Sequence, residues 1–430
     1  MQARIDHSNW KLPFFVIWIG QAFSLLGSSA AQFALIWWIT QETGSATVLA
    51  TASLVGLIPN IVFAPLAGVY VDRWNRRWVM IIADTAIALA SLWLAVLFWR
   101  EAVSLWQIYV ILFARSLGGS FHHSAMTAST SLMVPEEQLT RVAGMNQTLH
   151  GLLNIFGAPL GALLMELLKV HGVMMVDVAT AALAVAPLFF VQIPQPERKA
   201  AHEPGVPSSF WADLCDGARY LLNWRGLMIM TGMVMVLKIV LTPAFSLVPL
   251  LVKDHFGGGA AQLSLLEAVI GGGIVAGGLL LSAWGGFSKK VRTMALGGVG
   301  FGLAILAWGV LRGDLFGAAV LSGALLGLAI PLVDGPLMAL LQSAIAPEMQ
   351  GRVFSLFGSL ISLTSPIGLA LAGPISDGLG LQVWYVVAGV LALGLSAAFL
   401  LVPSVRNLDR YAARQEARSE PIDLVPAEVS

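Results

Sequence analysis

An all-α integral membrane protein with twelve spans in two six-helix halves is the fold class that this 430-residue chain predicts. Three observations carry that expectation. The chain is 57% hydrophobic and only 11% charged, with a mean hydropathy of +0.80, so it lacks the polar residues that a water-soluble surface of this size needs. Its apolar residues gather in runs of about 20, enough for a helix to cross ~30 Å of hydrocarbon. Its Lys and Arg residues divide very unequally between alternate connections. Runs this long and uniform do not suit barrel strands, and backbone groups in lipid must bond internally, so the spans are helical.

In order, the runs lie near 13–39, 47–71, 78–99, 104–127, 143–168 and 172–193, then 226–252, 260–284, 291–311, 314–341, 352–378 and 381–403. With the N-terminus inside, one face collects Arg4, Lys11, Arg73, Arg76, Arg77, Arg141, Arg198, Lys199, Arg219 and Arg225. It also takes Lys289, Lys290, Arg292, Arg352 and the tail arginines from Arg406 to Arg418. The other face has only Arg100, Lys169, Lys253 and Arg312. That bias predicts cytoplasmic termini. The first run is too long, and lacks the small-residue cleavage site, for a removable signal peptide. The sole cysteine, Cys215, excludes an internal disulfide and a thiolate metal cluster.

The expected organisation is an N-terminal bundle over 1–193, a linker over 194–225, a C-terminal bundle over 226–403 and a tail over 404–430. The linker holds Pro194, Pro196, Pro204 and Pro207, and its Phe210, Trp211, Leu214, Ala218, Leu221 and Leu222 have the spacing of an interfacial helix. The halves look duplicated. Val134-Pro135-Glu136-Glu137-Gln138-Leu139-Thr140-Arg141-Val142 recurs as Ala346-Pro347-Glu348-Met349-Gln350-Gly351-Arg352-Val353 with one residue deleted, each copy opening the fifth span of its half.

Between the second and third runs stands Gly68-Val69-Tyr70-Val71-Asp72-Arg73-Trp74-Asn75-Arg76-Arg77. A polar turn this short between apolar spans is a tight helical hairpin at a membrane face. Asp72 is placed to cap the third span, where unpaired N–H groups and a positive dipole end favour a carboxylate. Arg73, Arg76 and Arg77 hold the loop inside. This pattern resembles the loop between helices two and three of the major facilitator superfamily. The resemblance implies a secondary transporter whose switch loop, from Gly68 through Asp72 to Arg77, governs conformational exchange rather than substrate contact. In the second half, Gly285-Gly286-Phe287-Ser288-Lys289-Lys290 keeps the basic pair but has no Asp.

Over nearly its whole length the chain also resembles the macrolide-efflux type of drug/proton antiporter. Carrying that likeness are Trp18-x-Gly20-Gln21-Ala22-x-Ser24-Leu25, Thr43-Gly44-Ser45-Ala46, Ala52-Ser53-Leu54-Val55-Gly56, Arg115-Ser116-x-Gly118, and Gly351-Arg352-Val353-Phe354-Ser355-Leu356. The antiporter Gly-Pro pattern of the fifth span is present only as Gly157-Ala158-Pro159-Leu160-Gly161, and Lys238 and Asp334 stand where that family has uncharged residues.

Ionisable groups inside spans cost ~2.5–3.5 kcal/mol at the centre on insertion scales and so call for a role. Arg115 lies about 10 residues into the fourth span, roughly 15 Å deep at helical rise. It is either a cavity cation or half of a structural pair between helices. Lys238, near the middle of the seventh span, is a candidate substrate group or carboxylate partner. Glu267 sits in an apolar, glycine-rich part of the eighth span, which favours the neutral carboxyl and suits proton coupling. A protonated acid bonded to a neighbouring helix is its plainer reading. His122 and Asp334 each lie thirteen residues before their half's loop proline. They are thus approximate equivalents on helices four and ten, readable as a facing proton-linked gate or as packing. Asp84 reads as an anchor for the basic loop. Asp177, Glu166, Lys169 and Asp377 read as surface charges at span ends.

Gln21 and Phe23 on the first span are candidates for contact with a bulky amphipathic substrate, and Phe245 lies on the seventh. Trp37 and Trp38 read as an interface belt. The glycines from Gly271 to Gly278 read as points of close helix approach. The chain has no G-x-S-x-G, no H-E-x-x-H and no G-x-x-x-x-G-K-[ST], which disfavours an intramembrane enzyme and places no ATP site here. No cofactor, metal or nucleic-acid partner is expected. A receptor without transport would carry a signalling domain, and none is visible. The expected function is proton-coupled export of a small amphipathic compound, macrolide-like in the first instance, from the bacterial inner membrane. The alternative is a siderophore or other metabolite, with protons and membrane lipid as the remaining partners.

Overall fold

The computed structural model describes residues 10–195, 218–220, 222, 224–345, 347–406 and 408. Among these are eleven long helices: Lys11–Thr43, Ala46–Arg73, Arg76–Trp99, Leu105–Met133, Glu136–Phe190, Arg225–Ser246, Ala260–Trp284, Lys290–Val310, Phe316–Ala344, Pro347–Leu379 and Leu381–Leu401. Glu136–Phe190 supplies two spans, because its helical path breaks at Lys169, where φ is 55° and ψ 177°. Twelve spans result, and they are referred to below by ordinal. Ten of the helices are long and apolar enough to cross a membrane, by length and composition. Leu105–Met133 is the exception, diluted by Arg115, His122, His123 and a run of serines.

Local chemistry sets the ends. The second span starts at Ser45, whose side chain accepts from Val48 N–H. The fourth begins after Ser104, whose N–H donates to Gln107 Oε1 at 2.7 Å. Pro135 and Pro347 open the fifth and eleventh spans, where the missing proline N–H costs no helical bond. The seventh span ends at Ser246, earlier than the apolar run suggests. Leu247 leaves helical geometry two residues before Pro249, and a short turn and a π-helical segment, Leu251–His255, follow.

Packing sorts the spans into two sets. The first span lies along the fifth–sixth helix, the second along the fourth, and the third against both. In the second set the ninth packs on the tenth and twelfth, the eighth on the tenth, and the seventh on the eleventh and twelfth. The sets meet where the second span touches the eleventh and the fifth touches the eighth. Gly271 makes the latter contact possible: a Cβ there would lie 2.5 Å from the Asn154 carbonyl oxygen. Gly273 and Gly277 likewise abut the tenth span, whereas Gly272 and Gly278 face open space.

The hairpin after the second span departs from expectation. The second span continues through Arg73, so Asp72 sits in its last turn, and Asn75 caps the third span by accepting from Arg77 N–H and Trp78 N–H. Asp72 instead accepts from Arg76 Nη2 at 3.4 Å. Arg76 is buried and also donates to the Ala128 carbonyl at 2.6 Å. Arg77 donates to the Leu188 and Phe189 carbonyls, which are otherwise unpaired at the end of the sixth span. Trp37 is a second departure. It is buried in the main core, while Trp38 stacks edge-on against Phe98 at 5.2 Å, so the two tryptophans do not form a belt. The expected interfacial helix around Phe210, Trp211 and Leu214, together with Cys215 and the tail after 408, falls outside the described residues.

Candidate functional site

A cavity of about 1180 Å³ lies between the two sets, lined by the first six spans and by Leu263 and Glu267 of the eighth. It reaches Thr130, Ser131 and Leu139 at the face that carries the Asp72–Arg77 loop, and runs inward to Phe33, Ile36 and Leu263. Its wall mixes apolar residues with serines, glutamines, asparagines and histidines, a lining that suits a ligand with large apolar area and a few polar groups.

Trp18, Gln21, Asn146 and His122 face this space, and three of their contacts cross between helices. Trp18 Nε1 donates to Asn146 Oδ1 at 2.7 Å, joining the first and fifth spans. Gln21 Nε2 donates to Asp84 Oδ2 at 3.0 Å, joining the first and third. Asp84 is therefore not an anchor of the basic loop. Eight residues into the third span, it is about two turns from that loop, on the side that faces the cavity. Its other oxygen lies 2.8 Å from His122 Nδ1, with the ring N–H not aligned on it. This is an ion-pair contact when the imidazole is charged. His122 is thus partnered by Asp84 of its own half, and not by Asp334.

Arg115 lines the cavity wall, but its head group is engaged. Nη1 reaches both Asp177 Oδ2 and Ser91 Oγ, and Ser28 Oγ donates to Asp177 Oδ1 at 2.8 Å. Ser91 Oγ in turn donates to Asp177 Oδ2 at 2.6 Å. Asp177 is 1% exposed and far from a surface charge. The sixth span starts after the break at Lys169, so eight residues, about 12 Å at helical rise, carry Asp177 into the bundle. One network thus ties the first, third, fourth and sixth spans around two buried charges that neutralise each other.

Glu267 is half-buried on the cavity, the acid that the second half contributes to it. Among the described residues it has no hydrogen-bond or ion-pair partner. Lys238, Asp334 and Phe23 are outside the lining. Lys238 and Asp334 stand on the seventh and tenth spans, and Phe23 is 52% exposed on the outer side of the first span. Phe245 stacks on Phe301 at 6.1 Å. In the switch loop, Arg73 is exposed, and a Cβ added at Gly68 would meet no atom within 4 Å. Glu166 and Lys169 are exposed, as span-end charges should be.

The loop face and the opposite face differ. Among the described residues, hydrogen bonds between the halves are made toward the opposite face: Ser53 Oγ with Ser246 Oγ, Lys253 Nζ to Thr40 and Gln41 carbonyls, and Asp377 to the start of the second span. Asp377 is exposed, yet it is bonded across the halves rather than idle. Asp84, Asp177 and Asp377 are the carboxylates whose partners are not legible residue by residue. The available signal was the cost of an intramembrane carboxylate, which requires a partner.

Comparison with known proteins bears on this arrangement. Residues 17–246 match the family model described as Major Facilitator Superfamily. The chain is 35% identical over 404 residues to "Macrolide efflux protein A" of Streptococcus pyogenes, covering 94% of this chain and 99% of that protein. It is 25% identical over 409 residues to "Multidrug efflux pump Tap" of Mycobacterium tuberculosis, covering 92% and 95%. In structure it is similar to a bacterial homolog of the human lysosomal transporter Spinster, solved in an inward-facing and unoccupied conformation. There the TM-score is 0.66 at 13% identity, covering 95% of this chain and 98% of that one.

Proposed function

Since this chain belongs to the major facilitator superfamily, we propose that it exports an amphipathic organic compound by alternating access, driven by proton entry, with macrolide-like antibiotics first among its substrates. It is an efflux transporter of the bacterial inner membrane and not an enzyme. The observation that carries the finer reading is the cavity: large, mainly apolar with polar groups set along its wall, reaching the loop face, and holding Glu267, an acid without a partner among the described residues, together with the Asp84–His122 pair. With the termini and loop face cytoplasmic, substrate enters this space from the inside. Glu267 then releases a proton inward and recovers one when the molecule opens outward. Desolvation that changes as the halves rock gives the carboxyl a different proton affinity in each state.

Expression in an efflux-deficient host should lower macrolide accumulation, and a protonophore should restore it. Macrolide accumulation that expression leaves unchanged would overturn this substrate class and turn the search to siderophores or other metabolites.

The switch loop supplies a separate expectation. Asp72 is bonded within its own half here, and Gly68 and Arg73 face open space, as a loop would whose cross-half partner has moved away. Asp72→Asn should slow exchange between inward and outward states by about tenfold, a barrier change of ~1.4 kcal/mol, while equilibrium substrate affinity stays within about twofold. Stopped-flow exchange set against equilibrium binding checks this. A loss confined to affinity would assign Asp72 to substrate contact.

A further inference from the structure

The hairpin joining the first and second spans, Thr43-Gly44-Ser45, is held at both helix ends by the other half of the molecule. At the end of the first span, the carbonyls of Thr40 and Gln41 accept from Lys253 Nζ at 2.8 and 3.2 Å. At the start of the second span, Asp377 accepts from Ala46 N–H at 2.7 Å, Thr47 N–H at 3.0 Å and Ser45 Oγ at 2.9 Å. The Gln41 carbonyl and the Ala46 and Thr47 amides are groups that a helix leaves unpaired at its ends, while the Thr40 carbonyl also accepts from Gly44 N–H at 3.2 Å, so that Lys253 adds a second, charged donor there. The charges also match the dipoles, with a cation on the carbonyl end and a carboxylate on the amide end.

Lys253 and Asp377 do not pair with each other. Each is bonded to backbone of the opposite half, so when the halves part on this face both helix ends lose their charged partners at once and keep only the local caps from Gly44 N–H and Ser45 Oγ. Close packing adds to the closure. Gly373, one turn before Asp377, lies against the second span, where a Cβ would come within 2.6 Å of Thr47 Cα. Ser53 and Ser246 bond just beneath.

We propose that Asp377 and Lys253 form the outer gate of the transport cycle, latching the two halves by capping both ends of one hairpin from across the interface. The proposal rests on the alternating-access reading above, and it assigns these residues a positioning role with no substrate contact. Opening outward requires both latches to release, so the latches set how much of the population faces inward.

The test uses the full chain with Cys215→Ser, and spin labels at Arg100→Cys and Arg312→Cys, exposed positions on the gate side of each half. Asp377→Ala and Lys253→Ala should each raise the ratio of outward-open to inward-open distances about two- to thirtyfold, the span that loss of a helix cap corresponds to. Asp377→Asn should lie between, since an amide oxygen still accepts. Gly373→Ala, which leaves both charges in place, should move the ratio the same way by wedging the contact.

Exchanging the two charges, Asp377→Lys with Lys253→Asp, should not restore the original distribution. Each charge would then face a helix end of its own sign. Restoration by that exchange would mean a simple ion pair and overturn the capping gate. So would unchanged distances in both Asp377→Ala and Gly373→Ala. Shifted distances in a protein that moves no macrolide would leave the gate standing and remove the substrate reading instead.

Discussion

Asp177→Ala is expected to cost about 3–5 kcal/mol of stability, the usual penalty when one partner of a buried ion pair is removed and the other is left charged. Arg115 would then face Ser91 alone, deep in the bundle, with its Asp177 contacts gone. The expected result is a large drop in yield from the membrane and a lower unfolding temperature after solubilisation. Replacing both partners with apolar residues, Arg115→Met with Asp177→Leu, should recover much of that loss, because no uncompensated charge remains. A double-mutant cycle on thermal unfolding measures the coupling. If the single variant is as stable as the parent, the network contributes little, and Arg115 returns as a candidate for substrate contact through the cavity wall it lines.

Glu267→Gln is the second large effect. A one-unit pH gradient is worth 1.36 kcal/mol for each coupled proton, which sustains about a tenfold concentration ratio of substrate. In vesicles with an imposed gradient, the parent should reach at least about that ratio. The variant should fall to about one while still equilibrating substrate downhill. Glutamine keeps the size and polarity of the cavity at this point, so binding should be largely spared. The surroundings favour Glu267 for this role over Asp334. Among the described residues Glu267 lines the cavity without a partner, whereas Asp334 lies off the cavity. Uphill transport persisting in Glu267→Gln would move the coupling to the Asp84–His122 pair, which shares the same space.

The spans, their order and their grouping into halves were legible in the sequence. A bilayer demands about 20 apolar residues per crossing and a fully bonded backbone, and these demands act on each segment separately. The repeated proline motif was legible for a similar reason, since Pro135 and Pro347 each open a helix by local geometry alone. Depth and residue type did not by themselves select the cavity residues: Gln21, Glu267, His122 and Arg115 line it, whereas Phe23, Lys238 and Asp334, of similar depth and type, do not.

Which charge meets which was decided only by the tertiary structure. Depth along a helix follows from sequence position, but the phase of one helix against its neighbour depends on how both pack. Thus Asp84, assigned to the loop by proximity in sequence, turned to His122 and Gln21 of other helices. Asp177, counted from an apparent span end, went to Arg115, and Phe23, two residues after the cavity residue Gln21, went outward. Asp377 shows the reason most plainly. Its partners, Ser45, Ala46 and Thr47, are about 330 residues away, near enough to bond only because the halves are closed on that face.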